Sequence, residues 1–582
     1  MQRAAIGLQA DFYLGAVSWA LLTLVGFCSG PKREYGPRIA CTDASKLAMT
    51  HLGILSMGVG VRHKAQINMR CRVWSEIALV GLPGIAALGA FSVWHLLRTG
   101  FWYDESMQFW ISLGLDGFAP PYSMPGSFRD VIRQNAAANL DPGGFSIILA
   151  LWLKLGTSEI WQRTLPLLFF VVGLACFGWL GWTLRRSIPF AVLSSLAPTA
   201  YPLILDYATE VRAYSMEFAG IILGCILLDR LSLRSSILSA FLAGSVFGVF
   251  LGSRYSFGIF TAAAILALAH QTLGNRSGSA TLAVARLSAF VAPIILSAAL
   301  IFFMALLPQY KGRMSYNGGE LVQYLANATA TGKSLELIVA MLAKNLFGPA
   351  GLPLTFAGLI GLAGLTSHRW SERVGIYRMP PTARLFGMLA FAALCLTALV
   401  WRWHPWDMSQ KWSLWLHALS AVAVVRFAAG LLELAGPPAA SGWEREAPLA
   451  AFMLIGTMVL DLRFSIYRRP DSSLVPALKY LENAAPAAGS VAVAPHWYPT
   501  VRYFYEYGSL ARSRIYPVSF SLPDQTSFKP LVSSQTQYLV TTRPLAEARA
   551  EFPQVKITQD PASPEYLFRA EMPSPRAAPS DD

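Results

Sequence analysis

The sequence predicts an α-helical polytopic membrane protein of about eleven crossings, with added interfacial helices and a small C-terminal α/β domain outside the bilayer. Three observations predict it. Of 582 residues, 54% are hydrophobic and 14% charged, and the mean hydropathy is +0.44, too apolar for a soluble globule. Apolar runs of spanning length recur between residues 77 and 462. Beyond residue 463 the pattern changes, with nearly balanced charge and short apolar clusters of the kind strands make.

The net charge of +14 raises the question of nucleic acid, but no basic block interleaved with aromatic residues stands outside the apolar runs. About six units of the excess precede Val73, and much of the rest falls in short loops between runs, as the positive-inside rule expects. Nucleic acid is therefore not expected as a partner; membrane lipids are. Cys28, Cys41, Cys71, Cys176, Cys225 and Cys395 show no CxxC spacing, and the histidines form no HExxH. Neither a disulfide framework nor a zinc site is implied, and a metal here would be a hard divalent cation held by carboxylates.

Taken in order, residues 1–72 join an apolar run over 12–28 to a polar, basic stretch. They read as an extra helix, a signal-like segment or, as the favoured reading, sequence upstream of a translation start at Met57 or Met69. With Arg62, Lys64, Arg70 and Arg72 cytoplasmic, a first span over 77–97 leads out and leaves Asp104 outside. The outer loop 98–141 holds two amphipathic pieces, 105–115 and 127–138, suited to lie along the interface.

The run over 145–155 is short for a crossing, and parity makes it interfacial or re-entrant. The span 165–184 ends at Arg185 and Arg186 inside, and 188–205 returns outward. That parity puts residues 206–214 on the same face as Asp104. Spans near 213–228, 237–252, 257–273, 287–306, 352–365, 385–400, 412–432 and 449–462 follow, with an interfacial helix over 335–346. The expected division is a transmembrane catalytic domain over 73–463, an outer α/β domain over 464–572 and a disordered tail over 573–582. In the outer domain a helix over 474–485 precedes strands at 490–494, 537–541, 555–558 and 566–569.

Charge is rare in this chain, so its placement is informative. Phe101-Trp102-Tyr103-Asp104-Glu105-Ser106 sets two adjacent carboxylates among aromatic residues at a membrane exit. Alone, such a pair is more often a surface acid pair beside an aromatic belt. A second cluster on the same face, Asp206-Tyr207-Ala208-Thr209-Glu210-Val211-Arg212-Ala213-Tyr214, changes the weighing, and Leu140-Asp141-Pro142-Gly143-Gly144 closes the first outer loop. Arg254, Lys311, Arg313 and Lys411 fall on that face too, each weighed against a snorkelling residue. Trp401, Trp403, Trp406, Trp412 and Trp415 read as an aromatic belt rather than a sugar platform.

These stretches, together with Ser158 to Pro166 (SEIWQRTLP), resemble the polyprenyl-phosphate-sugar-dependent glycosyltransferases of the GT-C superfamily. The likeness is to relatives of glycosyltransferase family 39, the bacterial protein O-mannosyltransferases and lipid A aminoarabinose transferases. That family opens its outer loop with an Asp-Glu pair, follows with an acidic or His-Pro-Pro element before a short helix, and carries Q-E-x-R-x-Y in a second outer loop. The match covers 73–228 well and the remainder by topology. Gly143-Gly144 replaces the usual second proline and its neighbour, and Thr209 stands where glutamine is common.

The resemblance implies a GT-C fold, a polyprenyl-phosphate sugar donor, and a lipid, glycan or protein acceptor. It also implies a bacterial inner membrane location with the reaction on the periplasmic face. The chemistry is consistent on its own terms: a general base beside the acceptor hydroxyl, and cations to take the departing phosphate. Asp104 is the expected base, with Glu105 orienting it or the acceptor. Arg212 is the leading phosphate ligand because its planar fork donates two parallel bonds, and Arg254, Lys311, Arg313 and Lys411 are weaker ones. Tyr103, Asp141, Tyr207, Glu210 and Tyr214 would organise the site, Glu210 by holding Arg212 or, with Asp104, a divalent cation. Displacement in one step would invert the anomeric carbon. A transporter or lipid-linked sugar flippase is the alternative, but it predicts ionisable residues near span centres rather than span ends. A non-catalytic assembly protein with an outer interaction domain is the third reading.

Overall fold

The structure is a computed structural model that describes residues 101–119, 122–139, 141–232, 236–274, 280–309, 351–365, 380–401 and 413–434. In the C-terminal part it describes 477–478, 480, 490–493, 497–508, 536–540, 545–551, 553, 555–559 and 567–571. The expected spans over 77–97 and 449–462, the helix over 335–346, most of that over 474–485, the extension 1–72 and the tail lie outside the described residues. So do Lys311, Arg313 and Lys411.

Three short helices occupy residues 103–152. Helix α1 (Tyr103–Ser112) starts after Trp102, whose extended backbone ends the preceding chain; Asp104 and Glu105 occupy its first turn, where negative charge suits the helix dipole. Helix α2 (Phe128–Ala138) starts at Ser127, whose N–H and hydroxyl both donate to Asp130 Oδ2 at 2.9 and 2.7 Å. Helix α3 (Gly144–Trp152), within the run expected over 145–155, is nine residues long and apolar, too short to cross a hydrocarbon core.

The long helices follow. Helix α4 (Glu159–Arg185) has 27 residues and is capped by Ser158, which accepts from the Trp161 N–H. At 1.5 Å per residue it is about 40 Å long, enough to cross a hydrocarbon core. The span expected over 188–205 is instead broken into α5 (Ile188–Leu196), a 3-10 turn (Ala197–Ala200) and α6 (Pro202–Asp206). Pro198 and Pro202 lack the N–H a continuous helix needs, which accounts for the break.

Then come α7 (Tyr214–Ser232), α8 (Ile237–Leu251), α9 (Tyr255–Gly274) and α10 (Ala280–Ile301), the last extended by a π-turn (Phe302–Leu306). Helices α11 (Gly351–Leu365), α12 (Pro381–Trp401) and α13 (Leu414–Leu434) complete the described helical body. Among the described residues, four helices are long and apolar enough to cross a membrane: α4, α10 with its extension, α12 and α13. Three shorter apolar helices accompany them. The described chain is a mostly helical membrane protein.

Helix α7 is the hub, packing against α4, α8, α9, α12 and α13, and Phe218, Ile221, Ile222 and Leu228 on it are fully buried. Phe247, Phe257, Phe260 and Phe290 interlock beside it, with ring centroids 5.2 to 6.0 Å apart.

The C-terminal part forms a four-stranded sheet in the order β1-β2-β4-β3, from β1 (Ser490–Val493), β2 (Thr536–Val540), β3 (Lys556–Thr558) and β4 (Leu567–Glu571). Strands β1 and β2 run parallel, and β4 pairs antiparallel with both β2 and β3. A parallel pair needs a long crossover, and helix α14 (Tyr498–Glu506) lies in it and packs onto α1. Helix α15 (Leu545–Glu551) covers a small core of Leu539, Ala548, Val555, Ile557 and Phe568.

Candidate active site

The two neighbouring acids have different surroundings. Asp104 is partly exposed, whereas Glu105 is fully buried. Glu105 accepts from Arg163 Nε at 3.2 Å and Nη2 at 2.6 Å, from the Val211 N–H at 3.1 Å and from the Trp102 N–H at 3.4 Å. One carboxylate thus ties the start of α1 to the second turn of α4 and to the loop before α7. Arg163, itself buried, lies 5.5 Å from the Phe101 ring centroid. Glu105 stands in a buried structural clamp, with its oxygens taken up by protein donors.

The loop between α6 and α7 is closed from within. Ser215 Oγ bonds the Tyr207 and Ala208 carbonyls, both at 3.0 Å, and Tyr207 and Tyr214 pack with ring centroids 4.4 Å apart. Thr209, Glu210 and Val211 are buried by this fold, and Arg212 reaches sideways. Arg212 Nη2 contacts Asp141 Oδ2 at 3.4 Å and Asn139 Oδ1 at 3.3 Å. The other Asp141 oxygen faces Arg254 Nε at 3.4 Å, so one carboxylate sits between two arginines. Arg254 also lies over the Tyr214 ring, 4.3 Å from its centroid, and 3.5 Å from Glu217 on α7, which accepts a bond from Ser256.

The two glycines after Asp141 explain how it gets there. Gly143 has φ +95°, a left-handed backbone that L side chains rarely adopt. Gly144 donates its N–H to the Gly252 carbonyl at 2.9 Å, and a Cβ on Gly144 would lie 2.6 Å from that oxygen. This backbone contact sets Asp141 beside Arg254, two residues after Gly252. Asn135 and Gln309 hold the Asp141 carbonyl, at 2.8 and 3.0 Å. The departure from the family pattern at Gly143-Gly144 is therefore a close approach of two chain segments.

Electrostatics tie the cluster together. Burial alone pulls the Arg212 pKa down, but Asp141, Asp104, Tyr214 and Glu210 together outweigh it and the pKa is raised. For Arg254, burial is outweighed by Tyr214, Glu217 and Asp141, with the same result. Both guanidiniums are fixed cations. The Tyr103 hydroxyl is pushed above its usual range by burial and then by the Asp104 charge. Thr209 Oγ1 and Tyr214 Oη are buried with no hydrogen-bond partner among the described residues.

Of the residues singled out from the sequence, Tyr103, Asp104, Glu105, Asp141, Tyr207, Glu210, Arg212, Tyr214 and Arg254 come together in this one region, linked by the contacts and charges above. Arg163, Glu217, Asn139 and Gln309 were not singled out. The signal for Arg163 was present, since it is an arginine within the first turns of an apolar helix, where a charge needs a partner. Among the described residues no group of three or more His, Cys, Asp and Glu side chains could hold a metal ion.

No protein-family model matches the chain, and no curated protein matches it. Among solved structures, similarity extends to an oligosaccharyltransferase of Archaeoglobus fulgidus tethered with an acceptor peptide. The identity is 13%, the match covers 79% of this chain and 69% of that one, and the TM-score is 0.38. A second structure, oligosaccharyltransferase AglB of the same organism with an inhibitory peptide and a dolichol-phosphate, has 12% identity over the same shares, with a TM-score of 0.34. These scores are too low to carry an argument, and the chemistry of the site rests on its own geometry.

Proposed function

We propose that this protein is an integral-membrane glycosyltransferase. It takes a sugar from a polyprenyl-phosphate donor and transfers it, with inversion, to a lipid, glycan or protein acceptor on the outer face of a bacterial inner membrane. The observation that carries the reading is the juxtaposition of Asp104, partly exposed on the first turn of α1, with the Arg212–Asp141–Arg254 ladder. A base beside a pair of fixed cations is what displacement at a phosphate-bearing carbon needs. The motif resemblance of residues 103–106 and 209–214 points the same way.

In this reading Asp104 takes the proton of the acceptor hydroxyl as that oxygen bonds to the anomeric carbon. The bond from that carbon to the phosphate oxygen breaks on the opposite side. The lipid phosphate leaves with the electron pair, and Arg212 and Arg254 stabilise its charge through forked donors. Asp141 holds the two guanidiniums at a fixed spacing, since without it they would repel. Glu105 serves by position, because its clamp to Arg163 and Val211 sets the first turn of α1 and hence Asp104. Glu210 adds negative charge beside Arg212. Lys311, Arg313 and Lys411 remain proposed as further phosphate ligands.

The test is Asp104→Asn in the purified protein with a polyprenyl-phosphate sugar. Transfer should be lost while membrane insertion and thermal stability stay unchanged. Full transfer by Asp104→Asn would remove the base assignment, and a product with retained anomeric configuration would remove the one-step displacement.

A further inference from the structure

Helix α14 belongs to the C-terminal sheet, yet most of its contacts reach the outer loop that carries Asp104. Thr500 Oγ1 lies 2.6 Å from Ser106 Oγ, both groups buried. The Ser106 hydroxyl also lies within hydrogen-bond distance of the Trp102 carbonyl, at 2.7 Å, so Thr500 joins a hydroxyl already seated on the first turn of α1. Tyr503 stacks on Phe101 with centroids 4.5 Å apart and meets Phe109 edge-on at 4.9 Å. Its hydroxyl donates to the Thr157 carbonyl at 3.1 Å and accepts from Gln162 Nε2 at 3.1 Å, next to Arg163 in sequence. Arg502 lies 3.8 Å from the Trp110 ring centroid and donates to the Asp116 carbonyl at 3.1 Å, while Trp110 Nε1 donates to the Pro499 carbonyl at 2.9 Å.

Asp104 is therefore bracketed on both sides along the chain. Phe101, three residues before it, is held by Tyr503, and Ser106, two residues after it, is held by Thr500. The contacts of Arg212, Asp141 and Arg254 described above are made with Asn139, Tyr214 and Glu217 and with one another, whereas those of α14 fall on either side of Asp104. We propose that α14 is a positioning element for Asp104: the C-terminal sheet domain, through Thr500 and Tyr503, fixes the turn of α1 that presents the base. The inference rests on the reading of Asp104 as the base. It makes a segment nearly four hundred residues away in sequence (|i−j| of 394 for Ser106 and Thr500) part of the transfer unit.

A misplaced base slows the chemical step without weakening donor binding, and a shift of about 1 Å costs on the order of a hundredfold. The experiment measures kcat and donor KM of the full-length protein in a defined lipid mixture for Thr500→Val, Thr500→Ser and Tyr503→Phe. Glu547→Gln, at an exposed position on α15, is the control for general effects on the C-terminal part. The expected result is a fall in kcat of roughly 10- to 100-fold for Thr500→Val, with donor KM within about twofold and activity restored in Thr500→Ser. Amide exchange over Tyr103–Ser112 should quicken in Thr500→Val, a readout that survives even if turnover is too slow to measure.

Unchanged kcat with unchanged exchange in both Thr500→Val and Tyr503→Phe would overturn the proposal, as would a rise in donor KM equal to the fall in rate. If Asp104→Asn keeps full activity while Thr500→Val loses it, α14 does not act through Asp104 and both the inference and the base assignment fall. If Asp104→Asn is inactive and the α14 variants are normal, only the inference falls.

Discussion

Arg163 and Glu105 meet through two hydrogen bonds, 3.2 and 2.6 Å long, where the two side chains are 1% and 0% exposed. Removing one member of such a pair leaves the other charge buried and uncompensated, which costs about 3–5 kcal/mol. Glu105→Ala and Arg163→Ala should each lower the thermal unfolding temperature in detergent clearly. Pairing Glu105→Leu with Arg163→Met should cost less than the two single changes together. Equal stability of wild type and Glu105→Ala would show that the clamp holds nothing.

At the proposed phosphate site, Arg212→Lys keeps the charge but loses the fork that bonds two oxygens at once. A rise of about tenfold in donor KM, with a smaller change in kcat, is expected from that loss, near 1.4 kcal/mol. Because Arg212 and Arg254 share Asp141, the two lysine substitutions should not add. Steady-state kinetics on the single and double variants measures the coupling, and strict additivity would contradict a shared carboxylate.

The Gly144 contact offers a steric prediction. Its added Cβ would stand 2.6 Å from the Gly252 carbonyl oxygen, and backbone on both sides leaves little room to give. Gly144→Ala should destabilise by roughly 1–3 kcal/mol and lower transfer by moving Asp141 from Arg254. Gly430→Ala on α13, where nothing lies within 4 Å, is the comparison. Inside a helix that change should be neutral or stabilise by roughly 0.5–1 kcal/mol, as a melting curve would show.

Alkaline pH tests the α14 docking. The Tyr503 hydroxyl is held well above its usual range, by burial first and then by the Glu159 charge. A raised folded-state pKa means the folded protein keeps this proton longer than the unfolded chain. The resulting stabilisation is complete below about pH 10, the ordinary tyrosine value, and is lost as pH rises from there through the folded value. Unfolding temperature plotted against pH should fall above about pH 10, and fall less in Tyr503→Phe. An identical slope in the two proteins would mean that Tyr503 ionises as an exposed phenol.

Much of the helical body was legible because spanning segments must be long and apolar, a property of composition that survives without knowledge of neighbours. The run over 165–184 lies inside α4, and those over 237–252 and 385–400 nearly coincide with α8 and α12. The break in 188–205 was readable only from Pro198 and Pro202, because mean hydropathy does not register a missing N–H. The short apolar clusters near 490, 537, 555 and 567 fall where β1 to β4 lie, since alternation marks a half-buried strand.

The sequence by itself determined the membrane class, the helical body and, through rare charge beside span ends, the two stretches from which the site is built. Tertiary structure decided which of two adjacent acids is buried and which is partly exposed. Neighbours on a helix point about 100° apart, and nothing local says which of Asp104 and Glu105 turns inward. That choice is made by Arg163, 58 residues along, by the Val211 N–H, and by Thr500 and Tyr503 from the far end of the chain. Burying a carboxylate requires donors gathered from several elements at once, and only the folded chain brings those donors to one place.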